Sequence, residues 1–232
     1  MSLCEKRYQL WITNAFDRPF EIDQSWYFDC EQEEIISLDP HEAIDFYQQL
    51  FTYAKKDLAP FSVGQIANGL SYLLFNNAGN DMYLVINEGF DDLKMRDLIR
   101  AIPTLYQDIF YRLCRSNTEQ DQQSIAENCR IQRERLEHVC IMWWDEDIWI
   151  YFLQQRYPDQ FTEDFAQMFE SVLVLPHHTT QYSALHGLGH FHLESKQAAK
   201  RVESIVGAAL QKNQIIASLI DYAASAKIGS VQ

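Results

Sequence analysis

The feature of this sequence that most constrains its fold is a helical spacing of apolar residues that begins near residue 39. Ile44, Tyr47 and Phe51 recur at intervals of three and four residues, which places them on one face of a helix. Asp39 and Pro40 precede them, and a capping residue followed by proline is typical of a helix start. No strand-like alternation of apolar and polar residues follows. The pattern therefore predicts an all-α fold of about nine or ten helices.

Later segments carry the same signals for helix starts and ends. Ser62 and Thr162 are each followed by apolar residues at helical spacing, and we expect a helix to begin at each of them. A short helix, Met82–Asn87, is expected to end at Gly89. Pro103 lies within another helical pattern, where it either kinks that helix or begins the next one.

Residues 1–38 are the least regular part of the sequence. The segments QLWITNAF and SWYFDC are each predicted to be a short strand or an extended stretch. We therefore predict two parts, an irregular N-terminal cap of residues 1–38 and a helical-repeat domain of residues 39–232. A cap of this kind would cover one end of the helical array, because terminal units have an uncovered face.

Composition and charge exclude several classes of protein. The chain has 232 residues, of which 47% are hydrophobic, and a net charge of −14. No apolar run reaches the roughly 18 residues of a membrane span, and no basic stripe suits the phosphates of a nucleic acid. The start lacks a signal-peptide pattern, and five cysteines without C-x-x-C spacing favour a reducing compartment. We predict a cytoplasmic protein that binds neither membranes nor nucleic acid.

Two segments of the chain match each other without gaps. QIANGLSYLL (Gln65–Leu74) aligns with SALHGLGHFH (Ser183–His192) and places Gly69 on Gly187. The offset is close to three times the roughly 40-residue period of helix-pair repeats. With CIMWWD, these segments resemble HEAT or armadillo-like repeats and an uncharacterised family of bacterial helical-repeat proteins. This resemblance covers roughly residues 40–210 and implies a short right-handed α-solenoid of about four helix pairs.

The segment QYSALHGLGHFH places two histidines on one face of a helix. His186 and His190 are four residues apart, which is the spacing at which a helix presents two imidazoles to zinc. Gly187 stands where the metalloprotease motif has glutamate. Gly187 and Gly189 each cost about 1 kcal/mol relative to alanine inside a helix, which favours a close approach of a neighbouring helix. We therefore expect packing, no metal and substoichiometric zinc in the purified protein.

A second cluster, MWWDEDIW, combines aromatic and acidic residues. Trp143 and Trp144 beside Asp145 and Asp147 suit a pocket for a cationic group or a pair of catalytic carboxylates. The commoner interpretation is that the tryptophans belong to the core and that the acids cap a following helix. Motifs for nucleophilic catalysis and phosphate binding are absent from the sequence, and we do not predict an enzyme.

The leading hypothesis for function is a non-catalytic protein-binding module without a cofactor. Its helical array would hold a protein partner, and its acidic charge favours a basic one; an immunity or inhibitor protein is one specific version. The alternatives are a small-molecule enzyme that uses the cluster from Trp143 to Asp147, and a metal-binding protein that uses the histidines. The candidate binding residues are Trp143, Trp144, Asp145, Asp147, His186 and His190.

Overall fold

The predicted all-α class is confirmed by the structure. The computed structural model describes residues 3–22, 25–28, 36–75, 79–114, 127–146 and 149–231, with the backbone alone for residues 146, 149 and 150. Within these ranges the regular structure is helical and no strand occurs. None of the described helices is both long and apolar enough to span a membrane.

Eleven helices are described along the chain. Their bounds are α1 Leu3–Phe16, α2 Pro40–Asp57, α3 Val63–Leu74, α4 Met82–Glu88, α5 Asp92–Leu105, α6 Glu127–Glu146, α7 Trp149–Arg156, α8 Thr162–Leu173, α9 His178–Glu194, α10 Lys196–Gln211 and α11 Ile220–Ala226.

Reciprocal capping interactions begin two of the helices that the sequence predicts, α2 and α3, whereas α4 and α8 begin without a side-chain cap. The Asp39 side chain accepts a backbone N–H from the first turn of α2, and the Glu42 side chain accepts the Asp39 N–H in return. Ser62 and Gln65 form the same reciprocal pair at the start of α3. Such pairs satisfy N–H groups that have no partner inside the helix. Gly89 ends α4 with a φ of 100°, which glycine adopts without strain.

Pro103 does not end α5. The helix passes through this residue, although proline has no N–H to donate to the preceding turn. It continues into a wider π-helical turn, Tyr106–Phe110, and then into Tyr111–Leu113. The proline therefore lies inside one continuous helical segment and does not begin a new helix.

The prediction that residues 1–38 are irregular is wrong for the first segment, because QLWITNAF lies in α1. The second segment, SWYFDC, contains a 3-10 turn, Trp26–Phe28, and no described strand. One face of α1 enters the same core as the later helices. Its buried residues follow helical spacing, and they are Tyr8, Trp11, Ile12, Ala15 and Phe16.

Helix α9 occupies the centre of one half of the core. It packs against α6, α8, α10 and α11, while α6 also packs against α3. Helix α3 contacts α1 on another side, and α2 packs against α4 and α5. The end of α6 is therefore held directly beside α9, although α7 and α8 separate them in the sequence.

Two glycines lie where neighbouring rings approach a helix closely. A Cβ added to Gly187 in α9 would lie 2.4 Å from Cε1 of Phe169 and 2.9 Å from Cδ1 of Trp144. A Cβ added to Gly69 in α3 would lie 2.2 Å from Cδ1 of Phe16. Real Cβ atoms essentially never approach other atoms so closely, so both positions require a residue without a Cβ. The close helix approach predicted for Gly187 is present. At Gly189 an added Cβ would instead lie 2.3 Å from Cγ1 of Val231, which follows the last described helix.

Candidate functional site

Three side chains from two helices meet at one point on the molecule. Nε2 of His186 lies 2.9 Å from Oδ2 of Asp145, and Nε2 of His190 lies 2.9 Å from Oδ1 of the same carboxylate. The two Nε2 atoms are 3.2 Å apart. We call Asp145, His186 and His190 the Asp-His-His cluster.

Close packing of α6 on α9 brings Asp145 to the histidines. Trp144 lies over Gly187, and its indole Nε1 donates a hydrogen bond to Oγ of Ser183 over 3.1 Å. Ser183 donates in turn to the backbone carbonyl of Cys140, over 2.5 Å. These contacts fix the end of α6 against α9. The glycine predicted to permit close packing thus also determines where the neighbouring carboxylate lies.

The orientation of the His186 ring is fixed by residues on two helices. Its Nδ1 lies 2.5 Å from the hydroxyl oxygen of Tyr222 in α11. The Tyr222 ring stacks on Tyr182, with centroids 4.4 Å apart and planes at 4°. Burial, the contact with Tyr182 and the charge of Asp145 raise the pKa of Tyr222. The phenol therefore keeps its proton and can donate or accept a hydrogen bond at Nδ1.

The Asp-His-His cluster lies at the edge of the core. The side chain of His186 is 3% exposed, whereas those of Asp145 and His190 are 32% and 41% exposed. One member is therefore held rigidly by the core while the other two border solvent. An ion could reach this point without any opening of the core.

The spacing of the three ligand atoms suits one metal ion. Zinc ligands lie about 2.0–2.2 Å from the ion, so neighbouring ligand atoms of a tetrahedral site are about 3.3–3.5 Å apart. Each Nε2 lies 2.9 Å from a different oxygen of Asp145 and 3.2 Å from the other Nε2, which is only slightly shorter. One ligand atom from each of the three residues lies within 4.8 Å of the other two. Small movements of these side chains would admit the ion.

The same atoms form a consistent hydrogen-bonded group without a metal. Each imidazole can donate Nε2–H to a different oxygen of Asp145, and the Tyr222 hydroxyl then donates to Nδ1 of His186. A metal ion would take the Nε2 lone pair of each neutral ring, and the proton of that ring would then reside on its Nδ1. The two Nε2 atoms can therefore either donate to Asp145 or share a cation with it.

The chain matches no known protein family, no curated protein and no solved structure.

The predicted aromatic-acidic pocket is not formed by the two described tryptophans. Trp143 is fully buried and Trp144 is 7% exposed. Their rings stack on each other with centroids 4.9 Å apart, and the Tyr106 ring stacks beside them. The indole faces are thus covered inside the core. Asp147, the remaining predicted residue of that cluster, lies outside the described residues.

Two surface cavities lie away from the Asp-His-His cluster. One of about 340 Å³ is lined by residues of α2, α3 and the π-helical turn, including Leu58, Ile66 and Ile109. The other, of about 330 Å³, is lined by one side of α2, including Gln48 and Thr52. Neither cavity includes a member of the cluster.

The sequence predicts each of the three cluster residues as a candidate binding residue, but it does not predict that they meet at one site. Asp145 was grouped with its aromatic neighbours, and the histidines were grouped with the glycines. Tyr222 and Ser183 were missed entirely. The spacing of Tyr182 and His186, four residues apart on one helix, was an available signal that the ring of His186 is packed. The sequence carries no local signal that places Tyr222 beside His186.

Proposed function

We propose that this protein binds one divalent transition-metal ion, of the zinc class, at the Asp-His-His cluster. The observation that carries this proposal is the convergence of Asp145 with two histidines that lie 41 and 45 positions later in the sequence. Each histidine Nε2 lies 2.9 Å from one oxygen of Asp145, and the two Nε2 atoms lie 3.2 Å apart. Exposed acidic groups are common on proteins, but a buried imidazole held on its other nitrogen is the arrangement of metal-ligating histidines.

The ligand types favour some metals over others. Imidazole nitrogens suit zinc, copper, nickel, cobalt and iron, whereas magnesium and calcium prefer sites built from oxygen ligands alone. Asp145 also lies in the last turn of α6. The unsatisfied carbonyl groups at the end of a helix carry partial negative charge, which adds to the attraction for a cation.

Metal titration tests the proposal directly. The parent protein, freed of metal with a chelator, should bind close to one equivalent of Co²⁺ or Zn²⁺ in calorimetry. His186→Ala should weaken this binding by about 100-fold or more, since loss even of an outer partner costs about 10- to 100-fold. His41→Ala removes an exposed histidine of α2 and should leave the affinity unchanged.

The sequence predicts substoichiometric zinc, so the same titration decides between that prediction and this proposal. Binding of much less than one equivalent by the parent protein would end the metal proposal. Equal weakening by His186→Ala and His41→Ala would show unspecific binding to histidines. Mg²⁺ in place of Co²⁺ should give little binding.

Three protein ligands leave one position of a tetrahedral ion free. Two histidines and one carboxylate form the ligand set of several catalytic zinc sites, where water occupies the fourth position. Asp145 and His190 are partly exposed, so a fourth position beside them would border solvent. Either water or a donor atom of a bound molecule fits there.

A basic protein partner is the second candidate function, and the net charge of −14 supports it. We also propose that α3 and α9 are equivalent helices of a repeat array, since both pack on α6 and each holds a phenylalanine ring over its glycine. A pull-down with the purified chain should capture a stoichiometric basic protein that dissociates at high salt. Capture of none, at low salt, would contradict this second candidate.

A further inference from the structure

Tyr222 connects the last described helix, α11, to the Asp-His-His cluster. Its hydroxyl oxygen contacts Nδ1 of His186, and its ring packs on Tyr182. We propose that metal binding at the cluster and docking of α11 are coupled through Tyr222, so that metal loading strengthens the attachment of α11 and a docked α11 raises the affinity for metal. This inference rests on the proposed metal-binding function.

The coupling follows from the two nitrogens of one imidazole ring. A metal takes the lone pair of Nε2, and the proton of the neutral ring must then reside on Nδ1. That N–H requires an acceptor, because Nδ1 lies among buried groups where an unpaired donor is costly. The Tyr222 hydroxyl oxygen, 2.5 Å away, is the acceptor that the structure provides.

The Tyr222 hydroxyl also serves the metal-free form. There Nε2–H donates to Asp145, 2.9 Å away, and Nδ1 accepts a hydrogen bond from the Tyr222 hydroxyl. The phenol rotates its O–H and changes from donor to acceptor when the metal binds. Because the bound ion polarises the imidazole, the Nδ1–H group donates a stronger hydrogen bond in the metal form. The contact between α11 and His186 is therefore tighter with metal than without it.

Helix α11 is so short that a single contact of this kind affects how firmly it docks. It has seven residues, and a helix of this length forms only when it is packed against a larger structure. Its buried residues besides the contact are the small side chains Ala223 and Ala226, against α9 and α10. By linkage, any contact that is stronger in the metal-bound state stabilises both the bound metal and the docked helix.

Tyr222→Phe tests the coupling because it removes the hydroxyl and keeps the stacked ring. We expect the variant to bind Co²⁺ about 10- to 100-fold more weakly than the parent protein, as for other outer partners of metal-bound histidines. Tyr83→Phe removes an exposed hydroxyl from α4 and should bind Co²⁺ as the parent does. Visible absorption of the cobalt complex reports whether the ligand geometry at the ion changes.

Hydrogen exchange of the amides in residues 220–226 distinguishes coupling between metal binding and α11 docking from a merely structural role of Tyr222. In the parent protein, saturating Co²⁺ should slow this exchange about tenfold, and in Tyr222→Phe it should slow the exchange little. Exchange in the parent that is the same with and without bound Co²⁺ would overturn the coupling, whatever the variant does. If the parent binds no Co²⁺ at all, the proposed function fails first. Equal affinity and equal protection in parent and variant would refute the coupling alone.

Discussion

Replacing Gly187 with alanine should lower the free energy of unfolding by about 1–3 kcal/mol, the usual cost of overpacking a core. The added Cβ would lie 2.4 Å from Phe169 and 2.9 Å from Trp144, and both rings are buried, so neither can move aside freely. Alanine regains about 1 kcal/mol through its higher helix propensity, which is not enough to offset the clash. Because Trp144 precedes Asp145, the affinity for metal should fall as well.

Two other glycines give the matched comparison. Gly69→Ala should be destabilising to a similar degree, because its Cβ would lie 2.2 Å from the buried ring of Phe16. Gly207 lies in α10, where a Cβ would meet only the end of the Lys227 side chain, at 3.7 Å. Gly207→Ala should therefore raise the stability by up to about 1 kcal/mol. Urea unfolding of the three variants measures the differences.

The test of this prediction is the direction of the stability change in each glycine variant, more than the size of any one change. Higher stability in both Gly69→Ala and Gly187→Ala would refute the explanation by close approach. It would also remove the physical basis for aligning α3 with α9.

Asp81→Asn should stabilise the protein at pH 8 by about 2–4 kcal/mol. Asp81 precedes α4 and is 6% exposed, and its Oδ2 has no hydrogen-bond partner among the described residues. Burial raises the pKa of this carboxyl to about 7, against a weaker lowering effect of the Leu38 backbone. Folding above pH 7 thus keeps a charge in a poorly solvated place, and about three pKa units correspond to roughly 4 kcal/mol.

The pH dependence of this effect has a definite direction. The favourable contribution of protonated Asp81 is complete below its unfolded pKa of about 4. It declines as the pH rises through the folded value of about 7 and is constant above it. The stability of Asp81→Asn minus that of the parent should therefore grow from pH 4 to pH 8.

Asp17→Asn, at an exposed position after α1, provides the control. It removes the same formal charge from the surface, and its effect on stability is subtracted from that of Asp81→Asn at each pH. A flat difference for Asp81→Asn would show that the carboxyl ionises in the folded protein as readily as in the unfolded chain.

Local signals in the sequence predicted much of the helical fold. The starts of α2 and α3 were found because Asp39 and Ser62 satisfy backbone donors within one turn, which depends only on nearby residues. Helix α1 was missed although its buried residues are spaced as in any amphipathic helix. Within QLWITNAF the β-branched Ile12 and Thr13 favour a strand, while the helical periodicity is completed by Tyr8, which precedes that segment.

The candidate site was harder to predict because its members meet only in three dimensions. The histidine pair follows from a spacing of four residues on one helix. The position of Asp145 depends on how closely α6 packs on α9, and Gly187 and Ser183 determine that distance. Tyr222 comes from a third helix. Packing between separate helices of this kind leaves no periodic trace in a single sequence.

The central place of α9 has a consequence for the order in which the chain assembles. Its partners α6 and α11 lie on opposite sides of it in the sequence. Single helices form within about a microsecond, but contacts between distant segments must first close long loops, which slows folding. During synthesis, α6 leaves the ribosome before α9 exists to cover it, so Trp144 still lacks its contacts with Phe169 and Gly187. We expect this chain to refold more slowly than an up-and-down bundle of equal length, and to aggregate most readily when it is interrupted between α6 and α9.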